Sequence, residues 1–228
     1  MKYIRPMALK TPFHLQNVLV RDISLLCSLI MLLLISPFLF DTIPHRIIAG
    51  FLVLLCLVSA MLVMAKHKTL LWIAGVLIGT SIIAETVQIC FPSPFTLEFH
   101  YIHKSVNFFF FAIVLFYYML KQKTFVYADL ANAISIYLLI GISFGFLYCY
   151  IETISPGSFT YAAPAHEKLP STLIYFSYVT LATIGYGDIS PAAIIPRFLA
   201  IFEAMFGLFY IAIIIGRMVG MSRFAPEE

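Results

Sequence analysis

The sequence predicts an all-α membrane protein of six transmembrane helices, with a short re-entrant helix between the fifth and the sixth. Three observations lead there. Of 228 residues, 62% are hydrophobic and only 11% charged, and the mean hydropathy is +0.99, more apolar surface than one soluble core can hide. The apolar residues gather into runs near the roughly 20 residues a helix needs to cross a hydrocarbon layer of about 30 Å. Finally, the interval between the last two long runs contains a further apolar stretch that is too short to cross.

Residues 1–22 form a mixed N-terminal segment, expected to be cytoplasmic. The first span, 23–40, leads to Pro37 and Asp41 without a small-x-small cleavage pattern, so it reads as retained and not as a removed signal peptide. Further spans follow at 47–65, 70–91, 106–120, 130–151 and 196–219, the fourth being the shortest because Lys104 and Lys121 bound it closely. Lysine and arginine set the orientation, since loops that stay in the cytoplasm keep positive charge. One side collects Lys2, Arg5, Lys10, Arg21, Lys66, Lys68, Lys121, Lys123, Arg217 and Arg223; the other holds Arg46, Lys104, Lys168 and Arg197. Both termini are therefore expected on the cytoplasmic side.

Short connections give way to a long one between the fifth and sixth spans, 152–196. Its first part, 155–170, is rich in Pro, Gly and Ala and reads as an outer turret. Pro170 and Ser171 then offer a helix start, and a helix over 171–182 would be about 18 Å long, enough to enter a membrane and not to cross it. Irregular backbone after such a helix survives at membrane depth only when buried in protein or lining a water-filled path. The residues at that place are Thr183-Ile184-Gly185-Tyr186-Gly187-Asp188, preceded by Thr180 in the pattern T-x-x-T-x-G-Y-G.

This hexapeptide, in its setting between a short helix and an apolar span, resembles the selectivity filter of the pore-loop potassium channels, T-x-G-Y-G-D. The resemblance implies a tetrameric, potassium-selective channel in which rings of backbone oxygen replace the hydration shell of K+. Thr183, Ile184, Gly185 and Tyr186 would supply the carbonyls, with the Thr183 hydroxyl as the innermost ring. Gly185 and Gly187 would accept backbone angles that other residues resist. Tyr186 would point outward into the wall, and Asp188, Tyr175 and Thr180 would support the filter. Tyr175 and Phe176 fall where the family places an aromatic pair; the plainer reading of Tyr175 is an interfacial anchor. Val179 stands where some members carry a glutamate that pairs with the aspartate after the filter, so that pair is absent.

In the last span the resemblance implies an inner helix. Gly207 falls where the family often has a hinge, although glycine in a membrane helix also serves close packing. Leu208, Ile211 and Ile215 would line the inner cavity, where the family's small bacterial members have a glutamine in place of Leu208. Glu203 is costly within a membrane and so a functional candidate, either bonding the pore helix or adding negative charge near the cavity.

The fourth span has no arginine at every third position, so it offers little charge for a membrane potential to move. Glu85 and Gln88 would make a polar contact between helices or face a crevice. Glu98, His100 and His103 are expected in an outer loop, as solvated side chains or, less simply, as a zinc or proton site. The domain reading is a four-helix module at 23–123, a pore module at 124–221 and a cytoplasmic tail at 222–228, with no soluble ligand domain in this chain.

Other classes find little support. A net charge of +3 with scattered basic residues does not fit nucleic acid binding. The four cysteines lie singly in apolar runs, and no nucleophile-base set, metal-ligand spacing or phosphate loop points to an enzyme. No organic cofactor is expected, only permeant K+; the partners expected are three further copies and a lipid bilayer, and the family's small bacterial members place it in a plasma membrane. A nonselective cation channel and a non-conducting sensor are the alternatives.

Overall fold

In a computed structural model of the chain, residues 12–39, 42–65, 68–121, 127–162 and 169–222 are described. Expectations resting on Lys2, Arg5, Lys10, Lys66, Lys123, Lys168 and Arg223, and on the tail beyond Ser222, lie outside them. The elements run α1 (Pro12–Ile35), a 3-10 turn (Ser36–Phe38), α2 (Ile43–Val63), α3 (Lys68–Cys90), α4 (Pro94–Lys121), α5 (Tyr127–Ile154), β1 (Phe159–Tyr161), α6 (Leu169–Leu181), β2 (Ile189–Pro191) and α7 (Ile194–Ser222). Six of these helices are long and apolar enough to cross a membrane, and α6 is not. The fold class read from the sequence stands, with one small addition, the antiparallel pair of β1 and β2.

The centre of the molecule is α5. Within its span 72% of the residues are buried, against 17% for α7 and for α3, so α5 is wrapped by its own chain while α7 leaves most of its surface uncovered. One side of α5 packs on α1 and α4, the other on α6 and α7. The stacked rings of Phe108 and Phe146, 5.8 Å apart, join α4 to α5.

The fourth span departs from expectation. It begins at Pro94, well before residue 106, and so carries Glu98, His100, His103 and Lys104 on a helix and not in a loop. Its start is fixed locally: the Ser93 hydroxyl accepts the Thr96 N–H at 3.2 Å and the Thr96 hydroxyl accepts the Ser93 N–H at 2.9 Å. This is a reciprocal capping box with Pro94 at the first helical position. The polar residues then find partners on α3. Lys104 Nζ lies 3.1 Å from Glu85 Oε2, His103 Nε2 lies 3.0 Å from Thr80 Oγ1, and Asn107 Nδ2 donates to Ser81 Oγ at 2.8 Å. Both readings of Glu85 are realised: it makes the interhelical contact with Lys104 and, with Gln88, lines a cavity between the helices. Satisfied in pairs, these groups can sit between two membrane helices that would otherwise exclude them. Among the described residues no cluster of His, Cys, Asp or Glu has the makings of a metal site.

Candidate functional site

The short helix α6 is placed by two glycines on α5. A Cβ on Gly145 would come within 2.7 Å of the Ile174 backbone, and one on Gly141 within 2.7 Å of the Tyr178 ring. Their absence of side chains lets α6 lie directly against α5, the use small residues serve between membrane helices. Polar bonds lock the contact: Ser177 donates to the Gly141 carbonyl at 2.7 Å and Tyr178 to the Leu138 carbonyl at 2.5 Å. Farther out, Tyr148, Phe159 and Phe176 meet edge to face with centroids 5.2–5.4 Å apart, a geometry that suits the ring quadrupoles. Phe176 therefore braces α6 against α5 and β1, while Tyr175 alone faces the filter side.

The segment 183–188 grows out of the end of α6. The Thr183 N–H bonds the Thr180 carbonyl at 2.9 Å and the Ile184 N–H bonds the Val179 carbonyl at 2.9 Å. These are the two bonds of a Schellman helix stop, and they put Thr183 at the position that requires a left-handed backbone and usually holds glycine. Thr183 does have φ 56°, the one non-glycine with positive φ among the described residues. For a β-branched side chain this is a strained conformation, costing about 1–3 kcal/mol.

Gly185 and Gly187 continue the segment with φ 62° and 78°, whereas Ile184 and Tyr186 are not in the positive region. Left-handed residues thus alternate with ordinary ones at 183, 185 and 187. A strand alternates its carbonyls from side to side; inverting φ at every second residue is the backbone pattern that can turn successive carbonyls toward one side as a row of oxygens. Glycine takes the inverted angles without steric cost. Space beside this row is open, since a Cβ on Gly185 or Gly187 would meet nothing of its own chain within 4 Å. Ile184 is 52% and Tyr186 69% exposed; the wall expected around the Tyr186 ring is not supplied by its own chain.

Asp188 is held from two sides. Tyr175 donates to its carboxylate at 2.9 Å, and its carbonyl accepts the Ala162 N–H at 2.8 Å. The latter bond extends the β1–β2 ladder, in which Thr160 faces Ser190 and Phe159 faces Pro191. Glu152, at the end of α5, shapes the turn before β1: its carboxylate accepts the N–H groups of Gly157 and Phe159, each at 3.0 Å. Neither the ladder nor Glu152 was read from the sequence, for three-residue strands leave no periodicity and a lone acid at a helix end looks solvated.

Along α7 only a narrow stripe is covered, including Pro196, Glu203, Gly207 and Tyr210. Glu203 is fully buried. It accepts the Tyr148 hydroxyl of α5 at 2.7 Å and contacts the Ser177 hydroxyl of α6, so one carboxyl ties three helices together. Of the two readings offered for this acid, bonding to the pore helix is the one found. One turn on, α7 runs unbroken through Gly207, whose missing side chain admits the Leu181 carbonyl: a Cβ there would overlap the oxygen and stand 3.1 Å from the carbonyl carbon. Leu208, Ile211 and Ile215 are 55%, 44% and 56% exposed and lie off the covered stripe. Thr180 contributes its backbone carbonyl to the helix stop, and no side-chain bond of its hydroxyl is among those found.

Part of the chain is similar to known proteins. Residues 135–223 match the family described as Ion channel. The protein named Two pore potassium channel c, from Oryza sativa subsp. japonica, is 40% identical over 65 residues, which is 28% of this chain and 14% of that protein. The chain therefore matches only a small part of that relative's length. No solved structure matches. The likeness to pore-loop potassium channels carried by the filter motif is borne out over the segment from α5 to α7. The chain is thus built as a membrane protein with six helices able to cross a bilayer among the described residues, and its part from 135 to 223 is similar to the ion channel family.

Proposed function

We propose that four copies of this chain surround one axis and form a potassium-selective channel, with Thr183, Ile184, Gly185 and Tyr186 presenting their carbonyls, and Thr183 its hydroxyl, to dehydrated K+. The observation that carries this is the alternation of left-handed backbone at Thr183, Gly185 and Gly187 beside open space. Such a row of oxygens is useful only if other rows face it, because one row replaces a quarter of a hydration shell. In a fourfold assembly the uncovered faces of α7 would turn toward neighbours and the axis, Leu208, Ile211 and Ile215 forming an apolar inner cavity.

Charge supports an orientation. Arg21 bonds the Leu62 carbonyl at 3.3 Å and Arg217 the Leu120 carbonyl at 2.6 Å, which gathers Arg21, Arg217 and Lys121 at one end of the bundle. We assign that end to the cytoplasm. The division into a four-helix module at 23–123 and a pore module at 124–221 is kept as part of this reading. On α4, Lys104 is bound to Glu85, and no arginine lies on this helix. With about 2.3 kcal/mol available per charge per 100 mV, the channel gates with weak voltage dependence.

Purified protein in proteoliposomes, with K+ on one side and Na+ on the other, tests the proposal. A reversal potential far from zero and on the K+ side supports it. A value near zero makes the pore nonselective, and no flux from a verified tetramer makes the chain a sensor. A steep conductance-voltage curve would overturn the statement on gating.

A further inference from the structure

Tyr148, Glu203 and Ser177 are each fully buried, and their polar atoms form one line across three helices. Tyr148 of α5 donates to Glu203 Oε2 at 2.7 Å. Glu203 Oε1 meets the Ser177 hydroxyl of α6, and Ser177 Oγ lies 2.7 Å from the Gly141 carbonyl oxygen, back on α5. The line ends on a backbone carbonyl, which can only accept.

That end fixes the direction of every bond before it. A serine hydroxyl carries one proton. If Ser177 gives it to Gly141, the proton between Ser177 and Glu203 has to come from the carboxyl. If Ser177 gives it to Glu203 instead, two oxygens with only lone pairs to offer stand at hydrogen-bond distance with no hydrogen between them. A carboxylate has no proton to give; a carboxylic acid has one, and its other oxygen is the acceptor that Tyr148 requires. The count closes with three protons, on Tyr148, Glu203 and Ser177, all handed the same way, an order in which each bond polarises the next.

The surroundings agree with a neutral acid. The further titratable groups that face Glu203 are tyrosines, Tyr137 of α5 and Tyr178 of α6, the latter committed to the Leu138 carbonyl. The strand β2, which also packs on α7, carries no ionisable side chain. Among the described residues no lysine, arginine or histidine makes an ion pair with Glu203. Nothing therefore balances a negative charge in this place, where an unpaired one is costly.

We propose that Glu203 is a proton-binding site, filled at neutral pH and emptied at alkaline pH, which couples pH to the packing of α6. With the proton gone, the carboxylate draws the Ser177 proton to itself, and the Gly141 carbonyl loses the bond that holds α6 against α5. The three-helix tie is thus whole in the protonated form and lost as pH rises, not as it falls. Only the effect on flux, through the helix that leads into Thr183, rests on the channel reading.

Infrared spectroscopy of the full-length protein in dodecyl maltoside, which has no ester carbonyl, tests this. At neutral pH the unaltered protein is expected to show the carbonyl stretch of a protonated carboxylic acid, shifted by deuterium exchange and missing in Glu203→Gln. Tyr148→Phe, which removes the donor to the acid's carbonyl oxygen, moves the band to higher frequency without abolishing it. As pH is raised the band disappears, and with it the thermal midpoint of the unaltered protein falls and K+ efflux from proteoliposomes drops several-fold, while Glu203→Gln shows neither change. Absence of the band at neutral pH, or a band that neither variant alters, overturns the proton site. A band that persists until the protein unfolds, or an equal alkaline loss of midpoint in Glu203→Gln, overturns the switch. No flux from either protein fails the channel reading alone, since band and midpoint are read without it.

Discussion

Replacing Gly207 by alanine separates two uses of glycine in the last helix. The added methyl would overlap the Leu181 carbonyl oxygen and lie 3.1 Å from both the carbonyl carbon and Cδ1, where carbon contacts are comfortable at about 3.5–4.0 Å. A backbone carbonyl cannot swing aside as a side chain can, and Leu181 is 1% exposed. The helices must therefore part, at an overpacking cost of about 1–3 kcal/mol, against a gain of about 0.8–1 kcal/mol from the helix propensity of alanine. The displacement falls two residues before Thr183, so it reaches the segment proposed as the filter. Gly75 in α3 is the control, because a Cβ there meets nothing within 4 Å and only the propensity gain remains. The measurements are thermal unfolding of the purified assembly and K+ efflux from proteoliposomes. We expect Gly75→Ala to hold or raise the midpoint with normal flux, and Gly207→Ala to lower the midpoint and cut flux at least several-fold. Were Gly207 a hinge, alanine would stabilise it as it does Gly75 while changing gating alone. Gly207→Ala at or above the unaltered midpoint refutes the packing argument.

Three further substitutions probe the site. Thr183→Gly relieves about 1–3 kcal/mol of left-handed strain while deleting a hydroxyl, so the protein is expected to melt no earlier but to lose K+ preference over Na+ in biionic potentials, whereas Thr183→Ser retains it. Glu203→Gln keeps an acceptor for Tyr148 and a partner for Ser177 and is expected to leave the melting midpoint nearly unchanged; Glu203→Ala orphans the buried Tyr148 hydroxyl and costs about 1–3 kcal/mol, and equal midpoints for the two contradict the three-helix tie. Tyr175→Phe removes the 2.9 Å bond to Asp188, worth about 1 kcal/mol at a half-exposed place and so about fivefold in the population of the competent filter, read as a fall in the K+ to Na+ permeability ratio.

Much of the architecture was legible because a bilayer admits few solutions: runs of sufficient length had to be spans, and a shorter run followed by glycines had to be something else. The start of α4 was not. Hydropathy weighs Glu98, His100, His103 and Lys104 one at a time, and what makes the last three tolerable is Glu85 and Thr80 on another helix. The Ser93-Pro94 start signal was present in the sequence, and the polarity just beyond it argued for a loop. Glu203 shows the same limit, since helical spacing gave its face without saying whether that face met a cavity or the hydroxyls of Tyr148 and Ser177. The positive φ at Gly185 and Gly187 was legible because glycine marks such backbone directly, whereas the positive φ of Thr183 comes from the helix stop and no residue type announced it.

Thr183 shows why that backbone reads so clearly. The stop of α6 calls for a left-handed residue at this position, and glycine would fill it without strain, as it does at 185 and 187. A β-branched residue is kept instead: beyond the two helix-stop bonds, the loop is anchored by the Gly185 N–H, 3.4 Å from the Val179 carbonyl, and through Asp188 at its far end. Strain persists only where the surroundings over-determine the backbone, and here much of the surroundings must come from outside the chain. In the proposed fourfold channel, neighbouring copies packed around Tyr186 and cations drawn to the oxygen row would both answer that requirement. Under the same proposal the hydroxyl gives threonine a reason to bear the strain, for it would add one more oxygen where the row meets the helix end, whose partial negative charge also favours a cation.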